Sequence, residues 1–151
     1  DLRIANGTIY SNTAYGNGAI NAGGGITSSG LVTLTNSIIS TNTGGNCAVL
    51  GGTIADLGGN MEDANTCGLG AFDMAASRSM INPLLGAFGI NLPGSIPTVP
   101  LLSGSKAING ARDAACPLTD ARGVSRPQGS HCDAGAYEAI AGLIFVPMVR
   151  R

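Results

Sequence analysis

Residues 6–13 read NGTIYSNT, and residues 36–43, thirty positions later, read NSIISTNT. Each copy follows an apolar or alternating stretch, LRIA at residues 2–5 and LVTLT at residues 31–35. A repeat period of about 20 to 50 residues is typical of solenoids, in which successive coils of the chain stack on one another. The repeat therefore predicts that the two copies occupy equivalent places in neighbouring coils.

The asparagines of the repeat predict a ladder of side-chain hydrogen bonds inside the turns. Stacked carboxamides satisfy one another, whereas a buried amide without a partner costs about 1–3 kcal/mol. Within residues 31–35, alternation places Val32 and Leu34 on one face of a strand. Residues 23–27 (GGGIT) predict a further short strand, and residues 53–60 (TIADLGGN) a degenerate third copy. We expect β-helix coils over residues 1–73.

The composition supports an all-β fold. Glycine accounts for 24 of 151 residues, and the charged fraction is 11%, against about 25% in average proteins. So much glycine and asparagine favours short strands with tight turns and disfavours long helices. A β-sandwich of short strands has the same composition, but the asparagine spacing favours the solenoid. The net charge of −1 provides no basic surface for nucleic acid and no polybasic patch for a membrane.

Residues 74–138 lose the repeat and predict an irregular cap region of the same domain. Four prolines interrupt residues 80–102 of this stretch, at Pro83, Pro93, Pro97 and Pro100. Proline lacks the backbone N–H and restricts the chain, so extended segments and turns are expected here. We expect the cap to cover the open end of the solenoid, as terminal segments of repeat proteins do.

The four cysteines, Cys47, Cys67, Cys116 and Cys132, predict two disulfides. Three pairings are possible in principle, and proximity along the chain favours Cys47–Cys67 and Cys116–Cys132. Zinc is disfavoured because no C-x₂-C pair exists and His131 is the only histidine. Each loop closure is worth about 3 kcal/mol. Disulfides imply an oxidising location, extracellular or at a bacterial cell surface.

A cluster of opposite charges lies near the second cysteine pair. Arg122 and Arg126 stand among Asp120, Asp133 and Glu138. Arginine forms bidentate bonds with carboxylates, so these residues predict structural ion pairs. The alternative is a Ca²⁺ site built from the three acids, and the neighbouring arginines argue against it. We expect no other cofactor.

Three segments carry a family resemblance: LLSGSKAING at residues 101–110, CPLTDARGVSRPQG at 116–129 and CDAGAYE at 132–138. Together they resemble the C-terminal region of bacterial right-handed parallel β-helix surface proteins, of the choice-of-anchor and polymorphic-outer-membrane-protein-like kind. The resemblance spans residues 2–138 and departs at Asn109, where the family usually has Asp. It implies a short right-handed parallel β-helix and a place at the cell surface or outside the cell. It implies no enzymatic activity by itself.

The tail, residues 139–151, differs in composition from the rest of the chain. Its apolar run from 139 to 149 is too short for a membrane helix and is rich in strand-forming residues. It predicts a terminal strand that either packs on its own solenoid or adds to a neighbouring subunit by β-augmentation. The candidate subunit-contact residues are Leu143, Ile144, Phe145, Val146, Met148 and Val149.

The acids of the coil region predict no catalytic centre. Polysaccharide lyases and hydrolases need clustered carboxylates or a metal with a basic residue. Here only Glu62 and Asp63 are adjacent, and neighbours on a strand point to opposite faces. Residues 6–8 (NGT) form a glycosylation sequon, so Asn6 is a candidate site for attached glycan.

These features favour a non-catalytic extracellular structural protein that self-associates head to tail as a homo-oligomer or homopolymer, with a filament as one form. Exposed strand edges are templates for such association. The alternatives are the terminal fragment of a surface adhesin, a carbohydrate-binding module, and a polysaccharide lyase or hydrolase. The first residue is Asp1 rather than Met, from which we expect a processed or truncated product.

Overall fold

The computed structural model describes residues 1–14, 23–70 and 78–140. This part of the chain is all-β, with ten short strands and a single 3₁₀ turn at Asp113–Ala115. The strands are β1 (Leu2–Ala5), β2 (Thr8–Tyr10), β3 (Ile26–Ser28), β4 (Leu31–Thr35), β5 (Ile38–Ser40), β6 (Cys47–Val49), β7 (Thr53–Asp56), β8 (Met61–Glu62), β9 (Gly89–Ile90) and β10 (Pro97–Thr98).

Most of the strands form three small parallel sheets, with the orders β1-β4-β7, β2-β5-β8 and β3-β6. Each parallel neighbour is the third strand further along the chain. The register joins Thr8 to Ile38, and an isolated parallel bridge joins Thr13 to Thr43. Residues 6–13 and 36–43 therefore lie side by side with their sequences aligned, as the repeat predicts. The next strands follow at a shorter spacing, since Ile38 pairs with Met61.

A first hydrophobic core collects side chains from all three parallel sheets. Its buried members are Ile26, Val32, Leu34, Ile39, Cys47, Cys67 and Leu69, and Ile4, Ile9 and Ile54 pack against them. Val32 and Leu34 are 1% and 0% exposed, whereas Leu31 is 39% exposed. The predicted alternation along this strand is confirmed, because side chains of a strand point alternately to its two faces.

Strand β5 is buried on both faces. Ile39 belongs to the first core, whereas its neighbour Ile38 belongs to a second one. The second core combines Ile38 and Met61 with residues of the C-terminal region: Leu101, Ala107, Ala134 and Tyr137. The outer face of the β2-β5-β8 sheet is therefore the surface on which the C-terminal region packs.

The sequence led us to expect that the C-terminal region covers an open end of stacked coils, whereas in the structure it packs against a face of the β2-β5-β8 sheet. The backbone N–H of Gly135 donates to the carbonyl of Asn36, and the N–H of Ala136 donates to the hydroxyl of Thr8. A side chain at Gly135 would clash with Thr8 and Ile38, so glycine permits this close approach. The C-terminal region thus lies along the face of the sheet, where it buries the aliphatic side chains of Ile38 and Met61.

Candidate functional site

The predicted asparagine pairs are present at two corners. Asn36 donates from Nδ2 to Oδ1 of Asn6 at 3.2 Å. At the other end of the strand, Asn12 donates to Oδ1 of Asn42 at 3.0 Å. Asn6 and Asn36 have left-handed backbone angles, φ 53° and 49°, a conformation that asparagine tolerates better than most residues.

The first pair is not continued into a third asparagine. From the pairing of Ile38 with Met61, Gly59 occupies the position equivalent to Asn36. A Cβ atom at Gly59 would lie 2.1 Å from Oδ1 of Asn36. The space is taken instead by the C-terminal region, because the backbone N–H of Arg112 donates to Oδ1 of Asn36 at 2.8 Å. Asn36 therefore connects the repeat to a segment 76 residues away.

The second pair continues as a chain of polar contacts. Asn42 donates to Oδ1 of Asn46 at 3.0 Å, and Asn46 donates to Oδ1 of Asp63 at 2.8 Å. Desolvation raises the pKa of Asp63, but hydrogen bonds from Asn46, Ser40 and Thr41 outweigh it, and the pKa lies below its usual value. A carboxylate at the end of the chain of donors stabilises all of its links.

Glu62 serves the neighbouring turn. Its side chain is fully buried, and Ile39 is its partner in the adjacent strand. It accepts hydrogen bonds from the backbone N–H groups of Thr66 and Cys67 and from the Ser79 hydroxyl. Glu62 and Asp63 thus accept hydrogen bonds from separate turns, and the two carboxylates do not share a set of donors.

The five charged residues of the C-terminal cluster are brought together as predicted. Nη2 of Arg122 lies 2.7 Å from the Asp120 carboxylate, and Nη1 of Arg126 lies 3.5 Å from that of Glu138. All four side chains are at most 1% exposed. Buried charges are tolerated only when they are paired and hydrogen-bonded.

Backbone N–H groups bind the three carboxylates as well, a feature that residue types alone did not reveal. Asp120 accepts from the N–H groups of Arg122, Val124 and Glu138. The Asp133 carboxylate accepts from Asn109 and Ala139, and the Glu138 carboxylate from Gln128 and Asp133. Each of the six carboxylate oxygens therefore holds a backbone donor. A Ca²⁺ ion would have to replace these donors, and the described residues contain no cluster of three or more metal-binding side chains.

Burial acts differently on the two aspartates of the cluster. Desolvation raises the pKa of Asp133 to about 6, against the lowering effect of its hydrogen bonds from Asn109 and Ala139. At Asp120 desolvation also raises the pKa, but hydrogen bonds from Glu138, Arg122 and Val124 outweigh it and the pKa lies below its usual value.

The arginines hold the loop by their other donors. Arg126 donates to the carbonyls of Asp133 and Gly135 at 2.6 and 2.7 Å. Arg122 donates to the carbonyl of Leu92, and its guanidinium carbon lies 3.4 Å from the centre of the Tyr137 ring. These contacts tie residues 120–138 into one compact unit.

The disulfides join Cys47 to Cys67 and Cys116 to Cys132, the pairs that proximity in sequence favours. The first lies in the core of the parallel sheets. The second closes the loop of residues 116–132, which carries Asp120, Arg122 and Arg126. Both cross-links restrict the unfolded chain.

Two further predicted sites are the glycosylation site at Asn6 and the subunit-contact residues of the tail. Asn6 donates from Nδ2, the atom to which a glycan would be attached, to the carbonyl of Ala115 at 3.0 Å. The subunit-contact residues of the tail, from 143 to 149, lie outside the described residues. No helix in the described ranges has the length and hydropathy needed to cross a membrane.

A group of basic residues forms a groove that the residue pattern did not single out. Arg78, Lys106, Arg112 and His131 line two adjoining cavities of about 390 and 420 Å³. These residues come from distant parts of the chain and share no motif. The one sequence feature that could have drawn attention to this groove is Lys106, the only lysine of the chain.

Comparison of the chain with protein-family models, curated proteins and solved structures finds no match.

Proposed function

We propose that this chain is a non-catalytic extracellular structural protein, folded as a short right-handed parallel β-helix, that self-associates head to tail through its open edge and builds a filament. The family resemblance of residues 101–138 favours the same fold. Two disulfides favour an oxidising, extracellular location.

The strand order supports the β-helix. Pairing of every third strand is expected when a chain passes through three strands in each coil, and the parallel sheets follow this rule. The pairing offset is 30 residues between Thr8 and Ile38, and 23 between Ile38 and Met61. All three sheets contribute side chains to one hydrophobic cluster. Coils of this kind would enclose that cluster as their interior.

The observation that carries self-association is the exposure of Leu2 on the edge strand β1. Leu2 pairs with Val32, which in turn pairs with Ile54, so the three share one face of the sheet. Leu2 is 51% exposed, whereas Val32 is 1% exposed. Among the described strands, β1 is at the edge of its sheet. A further strand added beside it would bury this apolar surface and satisfy the outward backbone groups of β1. We propose that a second copy supplies that strand, with the apolar tail, residues 142–151, as the connector.

The carboxylates favour a structural role over a catalytic one. Glu62, Asp63, Asp120, Asp133 and Glu138 all bind N–H or hydroxyl donors of the protein itself. A general acid or base has to exchange a proton with substrate. Groups engaged in this way are better suited to organising turns.

The test compares two lysine substitutions at exposed leucines. Leu2→Lys places a charge on the proposed interface, whereas Leu118→Lys does so on the C-terminal region, where Leu118 is 88% exposed. We expect the parent and L118K to form filaments in electron micrographs and to sediment as large species. L2K and a chain lacking residues 142–151 should remain monomeric, because a charge blocks strand addition and the connector is missing.

Assembly of L2K to the same extent as the parent would contradict the interface. The alternative is a terminal fragment of a surface adhesin, in which a preceding coil of the same polypeptide covers β1. A monomeric parent together with a much larger intact mass for the native polypeptide would favour that alternative.

A further inference from the structure

Three of the four described cations that lie outside the C-terminal cluster line the same groove. The sequence has eight lysines and arginines. Arg122 and Arg126 are buried in the C-terminal cluster, and residues 150 and 151 lie outside the described ranges. Of the remaining four, only Arg3 lies elsewhere, on β1; the others are Arg78, Lys106 and Arg112. Repulsion between like charges that lie close together destabilises the folded state. A surface cluster of cations therefore indicates a function, such as the binding of an anion.

Arg78 stands between the two cavities and lines both of them. Its backbone is fixed by a parallel bridge to Met61, and its Nη1 donates to the carbonyl of Lys106 at 3.3 Å. Arg112 is held by a hydrogen bond from its guanidinium to the carbonyl of Leu57. The Lys106 ammonium is exposed and makes no hydrogen bond or ion pair with a described residue. The groove thus combines two positioned guanidinium groups with one exposed ammonium group.

The groove also holds neutral and acidic polar groups. Asp113 binds Nδ1 of His131 at 2.7 Å, and both side chains are more than half exposed. Asn109 accepts a hydrogen bond at Oδ1 from the His131 N–H, and its Nδ2 has no partner among the described residues. A dense polyanion would be repelled by the Asp113 carboxylate. A ligand with both hydroxyls and separated oxyanions would use Asp113 as an acceptor, Asn109 as a donor, and the cations for its charges.

We propose that this groove, formed by Arg78, Lys106, Arg112, Asn109, Asp113 and His131, binds an acidic polysaccharide through its carboxylate or sulfate groups. Planar guanidinium groups match the geometry of these oxyanions. None of these six residues belongs to β1, the strand on which the proposed self-association depends. An extracellular location, which the disulfides favour, is also where such polysaccharides occur.

The test is calorimetric titration at low salt with three probes: oligogalacturonate as the carboxylated glycan, κ-carrageenan oligosaccharides, whose sulfates are separated by an uncharged sugar, as the sulfated one, and neutral dextran. We expect saturable binding of one or both charged glycans, with the tighter one identifying the oxyanion, and no binding of neutral dextran. Lys106→Gln should weaken binding about tenfold, the effect of one charge-assisted contact. Arg3→Gln, which removes an exposed cation outside the groove, should leave binding unchanged.

Unchanged thermal unfolding of K106Q would exclude loss of the fold as the cause. Equal weakening by R3Q would overturn the proposal, since attraction by the overall charge would then explain binding. Absence of saturable binding to either charged glycan would also overturn it. Tighter binding of polyglutamate than of both glycans would replace the polysaccharide with an acidic protein partner.

Discussion

Asn36 is fully buried at the corner where the repeat meets the C-terminal region. Its Nδ2 donates both to Asn6 and to the carbonyl of Arg112, and its Oδ1 accepts from the Arg112 N–H. Its backbone has φ 49°. One asparagine therefore occupies a left-handed turn and hydrogen-bonds both to the first copy of the repeat and to a distant loop.

Asn36→Ala should lower the free energy of unfolding by about 3 kcal/mol, because it leaves buried partners without hydrogen bonds and puts alanine in a left-handed conformation. Asn12→Ala is the matched control at the exposed end of the second pair. Its loss should be below about 1 kcal/mol, since the backbone N–H of Asn12 still donates to Asn42. Urea unfolding measures both. Equal losses would contradict the special role of Asn36.

Asp133 should make stability depend on pH in the direction opposite to most acids. Burial raises its pKa from 3.8 to about 6, so between about pH 4 and 6 the folded protein holds a proton that the unfolded chain has released. The contribution of Asp133 to stability therefore falls as pH rises through this window. Asp63 and Asp120, whose pKa values are lowered, lose their contributions as pH falls.

The measurement is the free energy of unfolding of the parent and of Asp133→Asn at several pH values. The free energy of unfolding of the parent minus that of the variant should decrease from about pH 4 to about pH 6 and then stay constant. A difference that does not change with pH would mean that Asp133 titrates near its unfolded value.

At the scale of elements, β5 shows how a three-residue strand can join two cores. Ile38 and Ile39 are both completely buried, yet they point to opposite sides and belong to different clusters. An exposed outer face would have favoured a polar residue at position 38. The two adjacent isoleucines are thus the local sign that a second layer covers this sheet.

Ile38→Ala and Ile39→Ala should each lower the free energy of unfolding by about 2–5 kcal/mol, because each removes a completely buried side chain from one of the two cores. Since β5 joins the cores, each substitution should accelerate hydrogen exchange by a similar factor at the amide of Asp120, which bonds to Val124, and at the amide of Asn36, which bonds to Gly58. Acceleration by Ile38→Ala at Asp120 alone would show that β5 does not couple the two cores.

The whole molecule should unfold as one unit, because β5 contributes to both cores and Asn36 bonds across them. In native-state hydrogen exchange, the slowest amides of the coil region and of residues 120–138 should report the same opening free energy. The amide of Ile38, bonded to Gly7, and that of Asp120 are suitable probes. A C-terminal region that opens at a clearly lower free energy would show that the layers fold separately.

The amino-acid sequence by itself predicted those features that depend on short-range patterns. The thirty-residue repeat predicted the pairing of Thr8 with Ile38, because similar sequences in paired strands adopt similar conformations. Alternation predicted the burial of Val32 and Leu34. Proximity along the chain favoured the two cysteine pairs that form. The ion pairs within residues 120–138 were predicted because both partners of each pair lie in that short segment.

Only the tertiary structure decided where the irregular C-terminal region lies and what it brings together. Its contacts with the repeat join residues 76 and 128 positions apart, and no periodicity links such positions. The tertiary structure also decided the groove. Arg78 forms an isolated strand bridge, whereas Lys106 and Arg112 lie in loops, and only the fold brings the three together. Burial of the outer face of β5 holds these segments together, and that is a property of packed surfaces rather than of any one stretch of chain.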